Sequence, residues 1–307
     1  VPPLTAYTRK LTDQQIAQLK RDLMARGFEF KDVPYAHFAA RNRDVSVAAY
    51  LSGKLVVQGK GTQEFVEFYL EPELLKEAKL GYEHLLDPEM LVPRIGVDES
   101  GKGDFFGPLV VAGVFVGGDA VMQLKDSGIK DSKQISSDKR IAELAKTIRK
   151  TAGVATTVVS IGNEAYNRLH AKMANVNSIL GWGHARVIEN LLATSAAKDC
   201  RRAISDQFGN QRIVQQALME RGKKIELIQR HKAESDIAVA AASIIARDEF
   251  VARLHRLGKK YGVELPKGAS AAVEEAGRKL VKKHGADVLG KVAKTHFRTT
   301  AKILASV

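Results

Sequence analysis

Two adjacent carboxylates, Asp98 and Glu99, stand in the stretch RIGVDESGKGDFFGPLVV, directly after an apolar run and directly before Gly101, Lys102, Gly103 and Gly107. Acids at a strand end followed by a flexible basic loop suit metal-assisted phosphate chemistry. Mg²⁺ is a hard cation held by a few carboxylates plus substrate phosphate, and two such ions can clamp the attacking and leaving oxygens of a phosphoryl displacement. A rival pattern overlaps the same residues, because Gly96, Gly101 and Lys102 have most of the spacing of a phosphate-cradling P-loop. It fails on its chemistry: Gly103 stands where Ser or Thr should hold the metal, and two acids would sit inside the cradle. Neighbouring strand residues point to opposite faces, so Asp98 and Glu99 can share a site only if the strand ends there, which Ser100-Gly101 allows.

Partners for these acids lie far downstream. Asp206 ends the short strand-like run RAISD and can lie beside Asp98 if the two strands pair. A fourth acid comes from HKAESDIAVAAASIIARDEF, as Glu234 or Asp236, although Asp236 is also well placed to cap the helix that follows.

The elements that must position these residues fall into two patterns. Thr12 to Arg26 has a helical apolar face, with Thr12 and Gln15 spaced as a capping box and Gly27 as a stop. Strand-like runs follow at 28–30, 36–40, 45–51 and 54–58, with a hairpin turn at Ser52-Gly53. A second helical pattern is capped by Thr62 and ended or bent by Pro72. This predicts an α+β domain over residues 1–71 and a linker over 72–93. From Arg94 the chain alternates: strands at 94–97, 109–116, 154–161, 202–205 and 224–231, helices at 138–150, across 163–198, at 236–255 and at 273–284. A mixed α/β sheet with helices on its faces, spanning 94–307, is the expectation. Trp182 is expected in its core, and His184 as a structural or phosphate-positioning group.

Composition narrows the function. The 307 residues are 45% hydrophobic and 27% charged, and the formal net charge is +13. From residue 251 to the end there are thirteen Lys or Arg against four Asp or Glu, which points to a polyanionic partner whose condensed counterions binding would release. One cysteine, Cys200, excludes an internal disulfide and a multi-thiolate metal site. No apolar run is long enough for a membrane span and no secretory pattern opens the chain, so a cytoplasmic protein that needs no membrane is expected.

The motifs DESGKGDFFGPLVVAG, DSK at 131–133, NVN and GH within 175–184, SDQF around Asp206 and KAES…AAASIIAR together resemble the type 2 ribonuclease H family, in that family's order from Arg94 to about Phe297. Three features resemble ribonuclease HIII more than ribonuclease HII: the Gly101-Lys102-Gly103 loop, the preceding N-terminal domain, and Ala269 in LPKGAS where ribonuclease HII has a tyrosine that helps recognise the RNA–DNA junction. The resemblance implies a TATA-binding-protein-like substrate-binding domain followed by a ribonuclease H-like mixed-sheet domain with flanking helices. It implies Asp98, Glu99, Asp206 and Glu234 as catalytic acids holding two ions of Mg²⁺ or Mn²⁺, with Asp236 as the fallback for the fourth. Gly101, Lys102 and Gly103 are implied to contact the phosphate and 2′-hydroxyl beside the scissile bond, and Ser132 and Lys133 the backbone phosphate. The implied activity is endonucleolytic hydrolysis of the RNA strand of RNA–DNA hybrids, giving 5′-phosphate and 3′-hydroxyl ends. A monomer without protein partners is expected. The rivals are excision of single ribonucleotides from DNA, and nucleic-acid binding without catalysis.

Overall fold

A computed structural model describes residues 4–77 and 88–306. The chain divides into two units between Met90 and Leu91. In the first, β1 (Ala6–Lys10), β2 (Glu29–Lys31), β3 (Ala36–Arg41), β4 (Ser46–Tyr50) and β5 (Lys54–Gln58) form one antiparallel sheet in the order β1-β5-β4-β3-β2. Helix α1 (Asp13–Ala25) starts with the expected capping box: Gln15 N–H donates to Thr12 Oγ1 at 3.3 Å, and Thr12 N–H donates to Gln15 Oε1 at 2.9 Å. Its Ile16, Leu19 and Leu23 pack into the core with Val47, Leu55 and Val57.

Three details differ from expectation. The edge strand β1 has no strand signal of its own; its five residues carry two basic side chains and form a strand through pairing with β5. Thr62 is not a cap but the first residue of α2 (Thr62–Phe65); it is buried, and its hydroxyl donates to Thr5 O at 3.4 Å. Pro72 does not end the helix, which continues with wider turns from Val66 to Leu75 and puts Leu74 in the core, past the expected boundary at residue 71. Residues 78–87 of the expected linker lie outside the described residues.

The second unit carries β6 (Arg94–Ser100), β7 (Leu109–Val116), α3 (Gly118–Asp126), α4 (Asp138–Lys150), β8 (Val154–Ile161), α5 (Asn163–Met173), α6 (Val176–Leu192), β9 (Arg202–Asp206), α7 (Arg212–Ala217), β10 (Glu226–Arg230), α8 (Ile237–Tyr261), α9 (Ala271–His284), α10 (Val288–Val292) and α11 (Arg298–Leu304). The sheet order is β10-β9-β6-β7-β8; β10, β9 and β6 run parallel, and β7 and β8 are antiparallel to their neighbours. Every residue of β7 is buried, as expected for a strand covered on both faces. Two glycines set the depth of that cover. A Cβ on Gly96 would lie 2.1 Å from the Ala238 backbone, and one on Gly113 would lie 2.2 Å from Val187 Cγ1. Thus α8, with its run Ala238–Ala242, presses on one face of the sheet and α6 on the other. Among the described residues no helix is long and apolar enough to cross a membrane.

Candidate active site

The pleat decides where the acids go. Asp98 follows Gly96 by two residues and therefore leaves the sheet on the α8 face, while Glu99 follows Val97 onto the α6 face. β9 lies parallel to β6, with Gly96 opposite Ile204 and Val97 opposite Ser205. Asp98 and Asp206, the next residues on each strand, come abreast. Ile204 packs with Ala233 and Val239 on the α8 side, so Asp206 shares that face. Beyond β10 the chain turns at Lys232, whose φ is +56°, and Glu234 sits in the short turn Ala233–Ser235 that leads into α8. The structure thus brings Asp98, Asp206 and Glu234 to one face at the carboxyl ends of β6 and β9.

Glu99 is held differently. β6 runs on through Ser100 rather than stopping at the acids, yet so near the strand end the Glu99 carboxylate still acts on Asp98, and Glu99 Oε2 lies 3.1 Å from Nε2 of the fully buried His184. Burial works against the Glu99 carboxylate, but the hydrogen bond and charge of His184 outweigh it and keep its pKa below the ordinary range. Asp98 moves the other way. Burial, then the Glu99 carboxylate, push its pKa well above the usual value, with Asp206 adding to the effect against Lys133 and the Glu99 N–H.

The fallback acid has other work. Asp236 Oδ2 pairs with Arg94 Nε at 2.7 Å, both side chains nearly buried, and its Oδ1 accepts from Ala238 N–H at 2.8 Å as the cap of α8. Glu234, two residues earlier, has no such engagement among the described residues.

Lys133 reports the convergence of the acids from a cation's side. Partial burial opposes its ammonium, but the carboxylates of Asp98, Asp131, Glu234 and Asp206 outweigh this and raise its pKa. Its neighbour Ser132 is buried, with its N–H donating to Ser243 Oγ at 3.0 Å and its carbonyl accepting from Arg247 at 2.6 Å. Through these main-chain bonds Ser132 pins the DSK turn to α8. Arg247 carries no sequence signal for this role.

In the glycine loop, Gly101 has φ +90°, and a Cβ there would meet Pro108 O at 2.3 Å and Phe250 at 2.9 Å. Gly103 is exposed with nothing within 4 Å of its Cβ position, so the backbone lies open to a ligand. Lys102 is partly exposed, 4.0 Å from Glu99 Oε1. The loop is fastened from behind by Lys294, which is fully buried; its Nζ donates to Asp104 O at 2.9 Å and Gly107 O at 2.7 Å. Gly268 N–H donates to Asp104 Oδ1 at 2.6 Å, which sets the LPKGAS segment beside the loop. Nothing in the sequence singles out Lys294, one of many lysines in a basic region. Trp182, expected in the core, is 38% exposed; Gly181 and Gly183 on either side of it make the inward contacts.

Among the described residues no three His, Cys, Asp or Glu side chains already close on one point as metal ligands. The donor set nevertheless fits a hard divalent cation. Asp206 Oδ1 is buried without a hydrogen-bond partner, and Asp98 is disfavoured as an anion by two neighbouring carboxylates. Both are features that a cation would relieve.

Residues 95–300 match the model of the family described as Ribonuclease HII, and residues 8–80 match a domain of unknown function. Fold and match together define a type 2 ribonuclease H, an endoribonuclease. "Ribonuclease HIII" of Protochlamydia amoebophila is 41% identical, covering 100% of this chain and 98% of the relative; that of Chlamydia trachomatis serovar L2 is 43% identical, covering 98% of both. The crystal structure of Bst-RNase HIII in complex with Mn²⁺ superposes with a TM-score of 0.67 at 30% identity, covering 98% of this chain and 99% of that one. Aquifex aeolicus RNase H3 gives 0.54 at 26% identity, covering 95% and 100%. The chain belongs to the ribonuclease HIII family.

Proposed function

We propose that this ribonuclease H cleaves the RNA strand of RNA–DNA hybrids, leaving 5′-phosphate and 3′-hydroxyl ends, with two Mg²⁺ or Mn²⁺ ions held by Asp98, Glu99, Asp206 and Glu234. The observation that carries this reading is the gathering of Asp98, Asp206 and Glu234 on one face of the sheet, reported by the shifted Lys133 and Asp98. Bound divalent ions supply Lewis acidity and a water of lowered pKa. The protein does the rest. His184 keeps Glu99 ionised and oriented. Lys133 sits where it can neutralise part of the acid cluster and approach a backbone phosphate. Lys102 and the open backbone at Gly103 contact the phosphate and the 2′-hydroxyl, the group that separates RNA from DNA at a given site. Gly101 gives the loop the backbone turn that this approach needs. The N-terminal unit serves as a substrate-binding module. With Ala269 beside the loop in place of an aromatic side chain, a single ribonucleotide embedded in DNA should be a poor substrate.

The test is hybrid cleavage by wild type and Asp98→Asn in Mg²⁺ and in Mn²⁺. Wild type should cleave within the RNA strand and the variant should not. Cleavage by Asp98→Asn at the wild-type rate, or hybrid binding by wild type without cleavage in either metal, overturns the assignment.

A further inference from the structure

One carboxylate outside the acid cluster joins segments that border it. Asp138 opens α4, where the helix dipole favours an acid. Ser137 Oγ already caps that helix by accepting from Arg140 N–H at 3.3 Å, which leaves the Asp138 carboxylate for other partners. Its Oδ1 accepts from Arg247 Nη2 at 2.7 Å, and its Oδ2 accepts from Lys267 Nζ at 2.8 Å. Burial opposes ionisation of Asp138, but the hydrogen bonds from Lys267 and Arg247 outweigh it and hold its pKa below the ordinary range. Among the described residues neither cation has another carboxylate partner.

Each cation leads to a different segment. Arg247 Nη1 donates to Ser132 O at 2.6 Å and to Ile135 O at 2.7 Å, on either side of Lys133. The rigid guanidinium fork thus fixes the backbone from which Lys133 reaches the acids. Lys267 belongs to LPKGAS. Of residues 263–270 only Leu265 is buried, and a cleft of about 590 Å³ lies between part of this segment and the end of α8. Packing therefore supports the segment at one point, and polar bonds hold its far end. These are the Lys267–Asp138 bridge, Gly268 N–H donating to Asp104 Oδ1 at 2.6 Å, and Phe105 N–H donating to Gly268 O at 2.9 Å. Through Asp104 the chain of bonds reaches the glycine loop. We propose that Asp138 is a positioning residue for hybrid cleavage: it clamps the Lys133 turn and the LPKGAS segment to one frame, so that Lys133 and the glycine loop meet the RNA strand in fixed relative positions. This rests on the hybrid reading of the active site. Asp138 acts only through others, since among the described residues it makes no bond to the acids or to the glycine loop.

The experiment measures hybrid cleavage by wild type, Asp138→Ala and Asp138→Asn, each also in a Lys133→Met background. A small misplacement of reacting groups is costly in rate, so Asp138→Ala should lower kcat about tenfold. Its Tm should stay near that of wild type, because a partly exposed ion pair adds little stability. Asp138→Asn keeps one acceptor oxygen and should fall in between; if Asp138→Ala folds poorly, it carries the same test. In the Lys133→Met background the loss should shrink to about threefold, the share carried by Lys267, since residues on one path are not additive. A wild-type kcat in either variant overturns the proposal, as does a loss undiminished by Lys133→Met or one accounted for by the unfolded fraction. The amide NMR signal of Gly268, which Asp138 does not touch, should move in both variants; a signal that stays in place overturns the clamp. If wild type cleaves no hybrid, the active-site reading fails instead, and the Gly268 and Lys133 amide signals still decide whether Asp138 holds the two segments.

Discussion

Lys294 is fully buried behind the glycine loop, and that burial makes a quantitative pH prediction. Desolvation drives its pKa from 10.5 down to about 7, with the Asp104 carboxylate offsetting only part of the effect. Lys294→Met keeps a long flexible stem and removes the amine. Gly107 O would still accept from Asn163 Nδ2 at 2.8 Å, but Asp104 O would be left without its Lys294 donor, at a cost of about 1–3 kcal/mol. Against that stands the buried charge. In the unfolded chain the amine titrates near 10.5; in the folded protein, near 7. Below pH 7 both states hold the proton and the folded state bears the whole cost of burying it, about 5 kcal/mol at 1.36 kcal/mol per pH unit. Above pH 7 the folded state releases its proton while the unfolded chain keeps it. Wild-type stability should therefore rise relative to the variant by about 1.4 kcal/mol per pH unit until the unfolded amine titrates. The Met variant should be the more stable by about 2–4 kcal/mol at pH 6, and the two should approach parity by pH 9. Urea unfolding of both proteins at pH 6, 7, 8 and 9, at equal m-values, measures the difference directly. A difference that stays flat across this range refutes the reasoning, because it would mean that the folded state holds the ammonium without penalty.

The remaining predictions separate chemistry from scaffolding. Glu234→Gln should abolish hybrid cleavage at unchanged Tm. Asp236→Ala, which takes the carboxylate from buried Arg94 and the cap from α8, should cost about 3–5 kcal/mol while folded molecules keep their activity; the reverse pattern would make Asp236 the fourth acid. In His184→Leu, Glu99 loses the hydrogen bond that holds its pKa down. The acid limb of the pH–rate profile should then move to higher pH, and a limb that does not move dismisses the role given to His184. Removing residues 1–90 should raise KM for a hybrid by up to about 10²-fold, the gain typical of a tethered second binding module, with little change in kcat; an unchanged KM would deny the N-terminal unit its binding role.

The parts of the fold legible in the sequence are those whose signals are local. The Thr12–Gln15 capping box and the strand Lys54–Gln58 can be read from a few neighbouring residues. The run ending at Asp206 can too, because strand ends and caps follow short-range rules. What escapes depends on contacts across the chain. β1 is a strand through its pairing with β5, nearly fifty residues on. α3 opens on Gly117-Gly118, a pair that reads as a turn until the following apolar residues find their core. The choice between Glu234 and Asp236 turns on Arg94, 142 positions upstream, and the burial of Lys294 on a loop 190 positions before it. No periodicity marks such residues, since the partner that satisfies a buried charge has no fixed spacing from it.

The same distinction explains why Arg94–Val111 imitates a phosphate-cradling loop. Gly96 is glycine because α8 crosses β6 too closely for a Cβ, with Ala238 2.1 Å from the position it would take. Gly101 is glycine because the chain turns there at φ +90° against Pro108 and Phe250. The two demands are unrelated, and their separation by five residues reflects the length of strand from the helix crossing to the turn. The acids between them stand just before the end of that strand, where one face meets the start of α8 and the other meets His184. Burial and the crowding of Asp98 by Glu99 and Asp206 disfavour its carboxylate as an anion. The fold keeps Asp236 out of that crowd by pairing it with Arg94, so of the two carboxylates entering α8 one is neutralised for structure, while Glu234 faces the acids near Lys133.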